Sequence, residues 1–86
     1  MANAHRISFG NRVRELRISK QWTQVKFAED CGLHRTYIAG VECGMRNLCL
    51  DNIVRMAKSL GVHPSELFRA VQPRNVPRES KDKADK

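Results

Sequence analysis

The sequence is poor in the features that mark membrane-spanning, secreted or disulfide-rich proteins. None of its apolar runs comes close to the roughly eighteen residues that cross a bilayer. The first ten residues, MANAHRISFG, lack the apolar core of a signal peptide. Three cysteines form an odd set without paired spacing, so they make no disulfide framework and suit a reducing compartment. We therefore expect a cytoplasmic protein with free thiols.

The patterns of common catalytic sites are also missing. The 86 residues contain no Ser/His/Asp set, no paired catalytic carboxylates and no glycine-rich phosphate loop, and a short helical domain leaves little room for an enclosed pocket. No repeat recurs at the periods of about 20 to 50 residues that are typical of solenoids. We expect one small domain that is not an enzyme, uses no cofactor and binds no small-molecule ligand.

One set of residues suggests zinc, because Cys31 and His34 have the spacing Cys-x-x-His, and Cys43, Cys49 and His63 follow. Helical periodicity argues against this interpretation. It places Cys31 on a buried stripe, Cys43 at an exposed helix end and Cys49 at an N-cap, so the thiols do not converge on one ion. We expect no metal site. A redox switch through Cys43 and Cys49 stays open as an alternative.

Basic residues outnumber acidic ones. Sixteen lysines and arginines against nine aspartates and glutamates give a net charge of +7 and a pI near 9.9. Eleven of the bases and six of the acids lie within residues 1–71, so most of the excess belongs to the part with helical periodicity. This balance favours a polyanionic partner such as nucleic acid, although a solvated basic surface would have the same composition.

Residues 24–43 have the pattern of two short helices joined by a glycine. Apolar residues form one helical stripe at Phe27, Ala28 and Cys31 and a second at Ile38 and Val41. The small Ala28 allows the two helices to cross closely, and Gly32 suits a tight turn with positive φ. The pattern predicts a helix-turn-helix. Its second helix presents outward His34, Arg35, Thr36, Tyr37, Ala39 and Gly40.

We divide the chain into a flexible N-terminal arm at residues 1–7, a helical domain at residues 8–71 and a disordered charged tail at residues 72–86. Ser8 is a candidate N-cap for a first helix that runs to about Ser19. Helical spacing predicts a buried stripe on this helix and on a fourth helix that starts near Cys49 and ends at Gly61. The stripes contain Phe9, Val13, Leu16, Leu50, Ile53, Met56, Ala57 and Leu60.

Pro64 predicts the start of a fifth helix that runs to about Val71. Its apolar stripe contains Leu67, Phe68 and Val71. A domain this small does not need the whole stripe for its own core, so we expect these residues to form a homodimer interface across a two-fold axis. Full burial of the stripe within one chain is the alternative.

Several spacings agree with one known family. Thr23-Gln24, Ala28, Gly32, Ile38, Val41-Glu42 and Gly44, followed by LDNIVRMAKSLGVHPSELF, resemble the Cro/repressor-type helix-turn-helix family of bacteria and phages, often called XRE. The resemblance covers about residues 9–71. The run Arg35-Thr36-Tyr37-Ile38, with Gly40, Glu42 and Arg46-Asn47-Leu48, is similar to controller proteins of restriction-modification systems. It implies an all-α fold, a compact five-helix bundle of the lambda-repressor-like DNA-binding type.

Arg35 is the leading candidate for base recognition, because a guanidinium can donate two hydrogen bonds to O6 and N7 of a guanine in the major groove. With the resemblance, contacts to bases are expected at His34, Arg35, Thr36 and Gly40. Contacts to the DNA backbone are expected at Thr23, Gln24, Tyr37, Arg46 and Asn47. A packed surface Tyr37 and a solvated loop Arg46 are the alternatives.

Three further expectations concern the frame of this surface. His34 stands where the family usually has Ser, Thr or Asp as N-cap, so we expect a cap weaker by about 1 kcal/mol and an imidazole free for a base or a phosphate. The resemblance implies a structural ion pair between Arg17 and Glu42. Trp22 is expected to pack over the core, with base stacking as the alternative.

The sequence thus predicts a homodimeric, sequence-specific transcriptional regulator of the cytoplasm, associated with the nucleoid. Its expected partners are double-stranded DNA and a second copy of itself, and no association with a membrane is expected. Two recognition helices would enter successive major grooves of a palindromic operator, about 34 Å apart. By resemblance it would be an autoregulating restriction-modification controller. A phage-type repressor and an antitoxin-like protein-interaction module are the alternatives.

Overall fold

The computed structural model describes residues 3–71, without the side chains of Ala70 and Val71. In this part of the chain all regular structure is helical, as five elements in a row. They are α1 (Ala4–Ser19), α2 (Gln24–Cys31), α3 (Arg35–Glu42), α4 (Leu50–Leu60) and a C-terminal 3₁₀ helix (Pro64–Val71). The predicted all-α architecture is confirmed. The predicted tail at residues 72–86 lies outside the described residues, and the fifth helix is of the 3₁₀ type.

The prediction of a flexible arm before Ser8 is wrong for the described residues. Asn3 is the N-cap of α1, because its Oδ1 accepts the backbone N–H of Arg6 at 2.9 Å. Asparagine is among the strongest N-caps, and it starts the helix five residues before Ser8. The added turn is held by tertiary contact, because Ile7 packs against Gly44 in the loop between α3 and α4.

The core is formed where the helical stripes meet. Both stripes of the helix-turn-helix are buried as predicted, as are Phe9 and Val13 of α1. In α4 the prediction fails at Leu50, which is the first residue of the helix and is 72% exposed. The buried hydrophobic residues are Phe9, Val13, Phe27, Ala28, Cys31, Ile38, Val41, Met56, Ala57, Leu60 and Leu67.

Gly32 ends α2 in the left-handed conformation, with φ 73°, and the backbone N–H of Leu33 donates to the carbonyl of Ala28 at 3.0 Å. A residue with a β-carbon is strained there, which is why the turn requires glycine. α4 supports the turn from behind. Arg55 Nη1 donates to the carbonyl of Gly32 at 3.2 Å, and Ser59 Oγ donates to Asp30 at 2.6 Å. The helix-turn-helix is therefore anchored to the rest of the domain.

Gly10 allows α1 to lie directly on the backbone of α3. A β-carbon at this position would collide with the carbonyl oxygen of Val41 and would lie 2.9 Å from that of Glu42. No side chain fits into such a space without moving a helix. The orientation of α3 is thus set partly by main-chain contact.

The 3₁₀ helix packs on α1. Arg12 Nε donates to the backbone oxygen of Glu66 at 2.9 Å, and its Nη2 donates to a carboxylate oxygen of the same residue at 3.2 Å. Leu67 is fully buried beside α1 and α4. No helix within residues 3–71 is long and apolar enough to cross a membrane.

Candidate nucleic-acid interface

The N-terminal end of α3 is open to solvent. His34, Arg35 and Thr36 are exposed, while Ile38 and Val41 on the opposite side of the helix are buried. Within the described residues Arg35 makes neither a hydrogen bond nor an ion pair. All five donors of its guanidinium are therefore available to an external acceptor. The structure places Arg35 and Thr36 as the sequence predicts.

His34 caps α3 with its own side chain, so its imidazole is not wholly free for DNA as the sequence led us to expect. Its Nδ1 accepts the backbone N–H of Thr36 at 3.0 Å, and its own backbone is extended, with φ −71° and ψ 142°. A neutral imidazole has one unprotonated nitrogen that can accept in the way a serine or aspartate oxygen does. One of the first N–H groups of the recognition helix is thereby satisfied within the protein.

Arg46 lies across the outer face of α3, although it belongs to the following loop. Its guanidinium carbon is 5.4 Å from the centroid of the Tyr37 ring. A β-carbon at Gly40 would lie 2.9 Å from both Cγ and Nε of Arg46. The Arg46 side chain therefore occupies the space over Gly40. This does not agree with the expected base contact at Gly40, which needs an open helix face. Tyr37 is half-buried and serves as a platform for Arg46.

Arg17 and Glu42 form the predicted ion pair in a nearly dry position. The two residues are 8% and 7% exposed, and two hydrogen bonds of 2.7 and 2.9 Å join the guanidinium to the carboxylate. Arg17 Nη1 also donates to the backbone oxygen of Trp22 at 2.7 Å. The pair therefore links α1, the segment before α2 and the end of α3.

Gln24 is hydrogen-bonded to this ion pair, a contact that the sequence did not predict. Its Nε2 donates to Glu42 Oε1 at 3.1 Å. The amide nitrogen has a second hydrogen, which stays available to an acceptor outside the protein. Thr23, next to it, caps α2 by accepting the backbone N–H of Lys26 at 3.0 Å, so its hydroxyl has a structural role.

The remaining predicted residues have simpler environments. Asn47 is exposed, beside the Arg46 loop. Trp22 is half-buried against the core with Lys20 Nζ 4.7 Å above its ring, so it packs as predicted. Cys31 is buried and Cys43 and Cys49 are exposed, and among residues 3–71 no group of three side chains could hold a metal ion. Burial raises the pKa of the Cys31 thiol above its ordinary value.

The predicted dimer residues have different environments. Leu67 is fully buried in its own chain, so the prediction that it lies in an interface is wrong, because the 3₁₀ helix directs it into the core. Phe68 is 41% exposed, with its ring 5.1 Å from that of Phe9. It lines an open groove of about 250 Å³ together with Leu48 and Ile53. The side chain of Val71 lies outside the described residues.

The fold and this surface define a helix-turn-helix protein of the DNA-binding class. The chain belongs to the helix-turn-helix family, whose model matches residues 13–67. It is 50% identical to the control protein C.BamHI of Bacillus amyloliquefaciens over 69 residues, which is 79% of this chain and 85% of that protein. The resemblance to controller proteins is confirmed.

Solved structures agree with the fold. The restriction-modification controller protein C.AhdI from Aeromonas hydrophila superposes with a TM-score of 0.76 at 45% identity, covering 77% of this chain and all of the other. The controller protein C.Esp1396I, solved as a tetramer in complex with its natural 35 base-pair operator, superposes with a TM-score of 0.70 at 29% identity. That match covers 77% of this chain and 87% of the other.

Proposed function

We propose that this chain is a sequence-specific transcriptional regulator that binds double-stranded DNA as a homodimer on a palindromic operator. The observation that carries the proposal is the exposed Arg35, which lies at the start of a recognition helix with no partner in residues 3–71. Leaving a guanidinium fork unpaired on a helix that fits the major groove suits recognition of guanine. The controller relatives support the same function.

Contacts to bases come from the open end of α3. Arg35 donates to a guanine, and Thr36 offers a hydroxyl and a methyl group to a neighbouring base edge. His34 stands one residue ahead on the same end of the helix. Gly40 contributes by admitting Arg46 to the helix surface and not by touching a base itself.

Contacts to phosphates come from both sides of this helix. Gln24 lies in the first turn of α2, where backbone N–H groups and the helix dipole favour an anion, and Glu42 holds its amide. Arg46 and Asn47 contact the backbone from the other side, and the Tyr37 hydroxyl adds a further donor. Such contacts fix register and orientation without selecting a sequence.

Homodimer formation involves the groove beside Phe68. A half-exposed aromatic ring next to Leu48 and Ile53 offers an apolar patch that a second copy can cover by two-fold symmetry. Leu67 supports this surface from inside the core. Two copies would place their recognition helices in successive major grooves, about 34 Å apart.

We further infer that the protein regulates its own gene and a restriction enzyme gene, as controller relatives imply. Operator occupancy then follows protein concentration, because dimerisation and DNA binding are coupled by mass action. We also propose that the protein acts in the cytoplasm, where its operator is, and that it has no catalytic activity.

The test compares single variants on selected operator DNA and on random DNA. Arg35→Ala should weaken operator binding by about 1 to 3 kcal/mol and leave binding to random DNA unchanged. Gln24→Ala and Arg46→Ala should weaken binding to both, and Arg46→Ala should also lower the salt dependence by about one phosphate contact. Arg14→Ala removes an equal charge from an exposed position of α1 and serves as the control. Equal losses on both DNAs for Arg35→Ala would refute base recognition.

Selection of bound DNA from a random pool tests dimer geometry at the same time. A symmetric consensus supports the two-fold arrangement. A chain that selects no sequence at all would favour the antitoxin-like interaction module instead.

A further inference from the structure

His34 uses one of its two ring nitrogens inside the protein. Nδ1 accepts the backbone N–H of Thr36 at 3.0 Å. A nitrogen that accepts a hydrogen bond carries no proton, so the single proton of the neutral ring is on Nε2. The side chain is exposed, and no residue among 3–71 accepts a hydrogen bond from Nε2.

We propose that this cap makes His34 a specificity-determining donor: Nε2–H donates to a hydrogen-bond acceptor on a base edge of the major groove. Purine N7, guanine O6 and thymine O4 are acceptors, whereas the amino groups of adenine and cytosine are donors and cannot take this bond. His34 therefore discriminates, at its contact position, against base edges that present an amino group there. The inference rests on the proposed function and states how one residue carries it out.

The cap also orients the ring before DNA arrives. An exposed histidine without an internal partner would lose rotamer freedom on binding, and this loss opposes binding. Here the hydrogen bond to Thr36 already restricts the ring. An aspartate cap would satisfy the same N–H group but offer no donor, and a serine cap would carry its only donor on the capping oxygen itself, at the end of a shorter side chain. The imidazole combines the two roles on two different atoms.

A phosphate oxygen is an acceptor too, so base and phosphate must be distinguished by experiment. His34 immediately precedes Arg35 at the N-terminal end of α3, the end whose residues contact base edges in helix-turn-helix complexes. Gln24, Arg46 and Asn47 are the proposed phosphate contacts. A base edge is therefore the acceptor that the position of His34 favours.

The experiment uses the full chain with a methylated histidine at position 34, prepared by chemical ligation at Cys43. His34→Nε2-methylhistidine keeps the Nδ1 acceptor and removes the donor. His34→Nδ1-methylhistidine removes the Nδ1 acceptor and, because the neutral ring then carries no proton on Nε2, the donor as well. Each protein is then used to select DNA from a random pool, and its unfolding midpoint is measured in parallel.

With Nε2-methylhistidine we expect an unchanged unfolding midpoint and a loss of preference at one symmetric pair of operator positions. Discrimination there should fall about fivefold or more, while affinity for random DNA stays the same. With Nδ1-methylhistidine we expect a lower unfolding midpoint and the same loss of base preference, because neither the cap nor the Nε2 donor remains. His34→Ser, which caps but lacks the ring donor, should behave like the Nε2-methylated protein.

Two results would overturn the inference. One is an unchanged preference at every operator position in the Nε2-methylated protein. The other is an equal loss of affinity on selected and random DNA, which would assign Nε2–H to a phosphate. If the unmodified chain itself selects no symmetric sequence, the proposed function fails and not this inference alone.

Discussion

At the scale of single residues, the Glu42 side chain joins two other side chains of the interface. Its carboxylate accepts from Arg17 twice and from Gln24 once, while it is 7% exposed. A buried carboxylate needs such partners, because an unpaired charge at low dielectric is costly. One residue thus satisfies the ion pair and holds a proposed phosphate contact.

Arg17→Ala should therefore destabilise the domain strongly, because it leaves the Glu42 charge buried without its partner. We expect the free energy of unfolding to fall by about 3 to 5 kcal/mol in urea titrations. The double variant Arg17→Met, Glu42→Leu should regain much of that loss, since both charges are gone. If the double variant is no more stable than Arg17→Ala, the stranded charge is not the cause.

The buried thiol of Cys31 should make the stability of the domain depend on pH and should react more slowly than the two exposed thiols. Burial raises the pKa of the Cys31 thiol above its ordinary value of 9.0, so the folded chain holds that proton to a higher pH than the unfolded chain does. Its contribution to stability is complete below the ordinary value and is lost as the pH rises above it. Stability should fall more steeply above about pH 9 than in Cys31→Ala, measured by urea unfolding.

At pH 8 a thiol reagent should modify the exposed Cys43 and Cys49 long before Cys31.

At the scale of elements, the loop after α3 is positioned by the recognition helix itself. Arg46 extends back over Gly40 and against the Tyr37 ring, so a proposed phosphate contact rests on the helix that carries the proposed base contacts. The two kinds of contact are therefore geometrically linked.

Gly40→Ala tests that link. The new β-carbon would lie 2.9 Å from atoms of the flexible Arg46 side chain, which can move away, so the fold should tolerate the change. Alanine in place of a helical glycine should raise the free energy of unfolding by up to about 1 kcal/mol. DNA affinity should nevertheless fall on all sequences, as measured by fluorescence anisotropy.

A double-variant cycle supplies the control. In an Arg46→Ala background, Gly40→Ala should cause no further loss of affinity, because the displaced side chain is already gone. Additive losses would show that Gly40 acts independently of Arg46.

The sequence predicted the helices and the buried stripes well where periodicity and glycine placement agree. Gly32, Ile38 and Val41 follow from spacing alone, and the ion pair of Arg17 with Glu42 follows from family resemblance. The early start of α1 was missed because its first turn, AHRI, has little apolar periodicity and depends on contact between Ile7 and Gly44.

Other features could not be obtained from one-dimensional spacing. The backbone contact at Gly10, the path of Arg46 over Gly40 and the hydrogen bond from Gln24 to Glu42 all join distant parts of the chain. Leu67 and Phe68 have similar hydrophobicity, and only the packing of the 3₁₀ helix on α1 decides which one is buried.

At the scale of the whole molecule, the apolar surface around Phe68 is the proposed contact between two copies of the chain. Phe68→Ala should weaken the homodimer by about 2 kcal/mol, roughly thirtyfold in the dimer dissociation constant, because it removes an aromatic residue from the proposed interface. Sedimentation equilibrium measures this constant directly. Ile18→Ala is the matched control, because Ile18 is similarly exposed, at 48%, but lies on α1 away from this surface.

The same experiment decides between the two uses of this ring. Phe68 also contacts Phe9, so the stability of the monomer must be measured beside its association. Loss of stability with an unchanged dissociation constant would assign Phe68 to the core alone. A wild-type chain that stays monomeric at tens of micromolar, with and without DNA, would remove the dimer.

The anchoring of α3 also bears on how such regulators diverge. Ile38, Val41 and the main-chain contact at Gly10 hold the helix in place. The fold therefore does not depend on the side chains of Arg35 and Thr36. Substitutions at these two positions should therefore change the DNA sequence that is recognised while every intermediate protein still folds. His34, which caps α3 and is also the proposed donor to a base, should change more slowly.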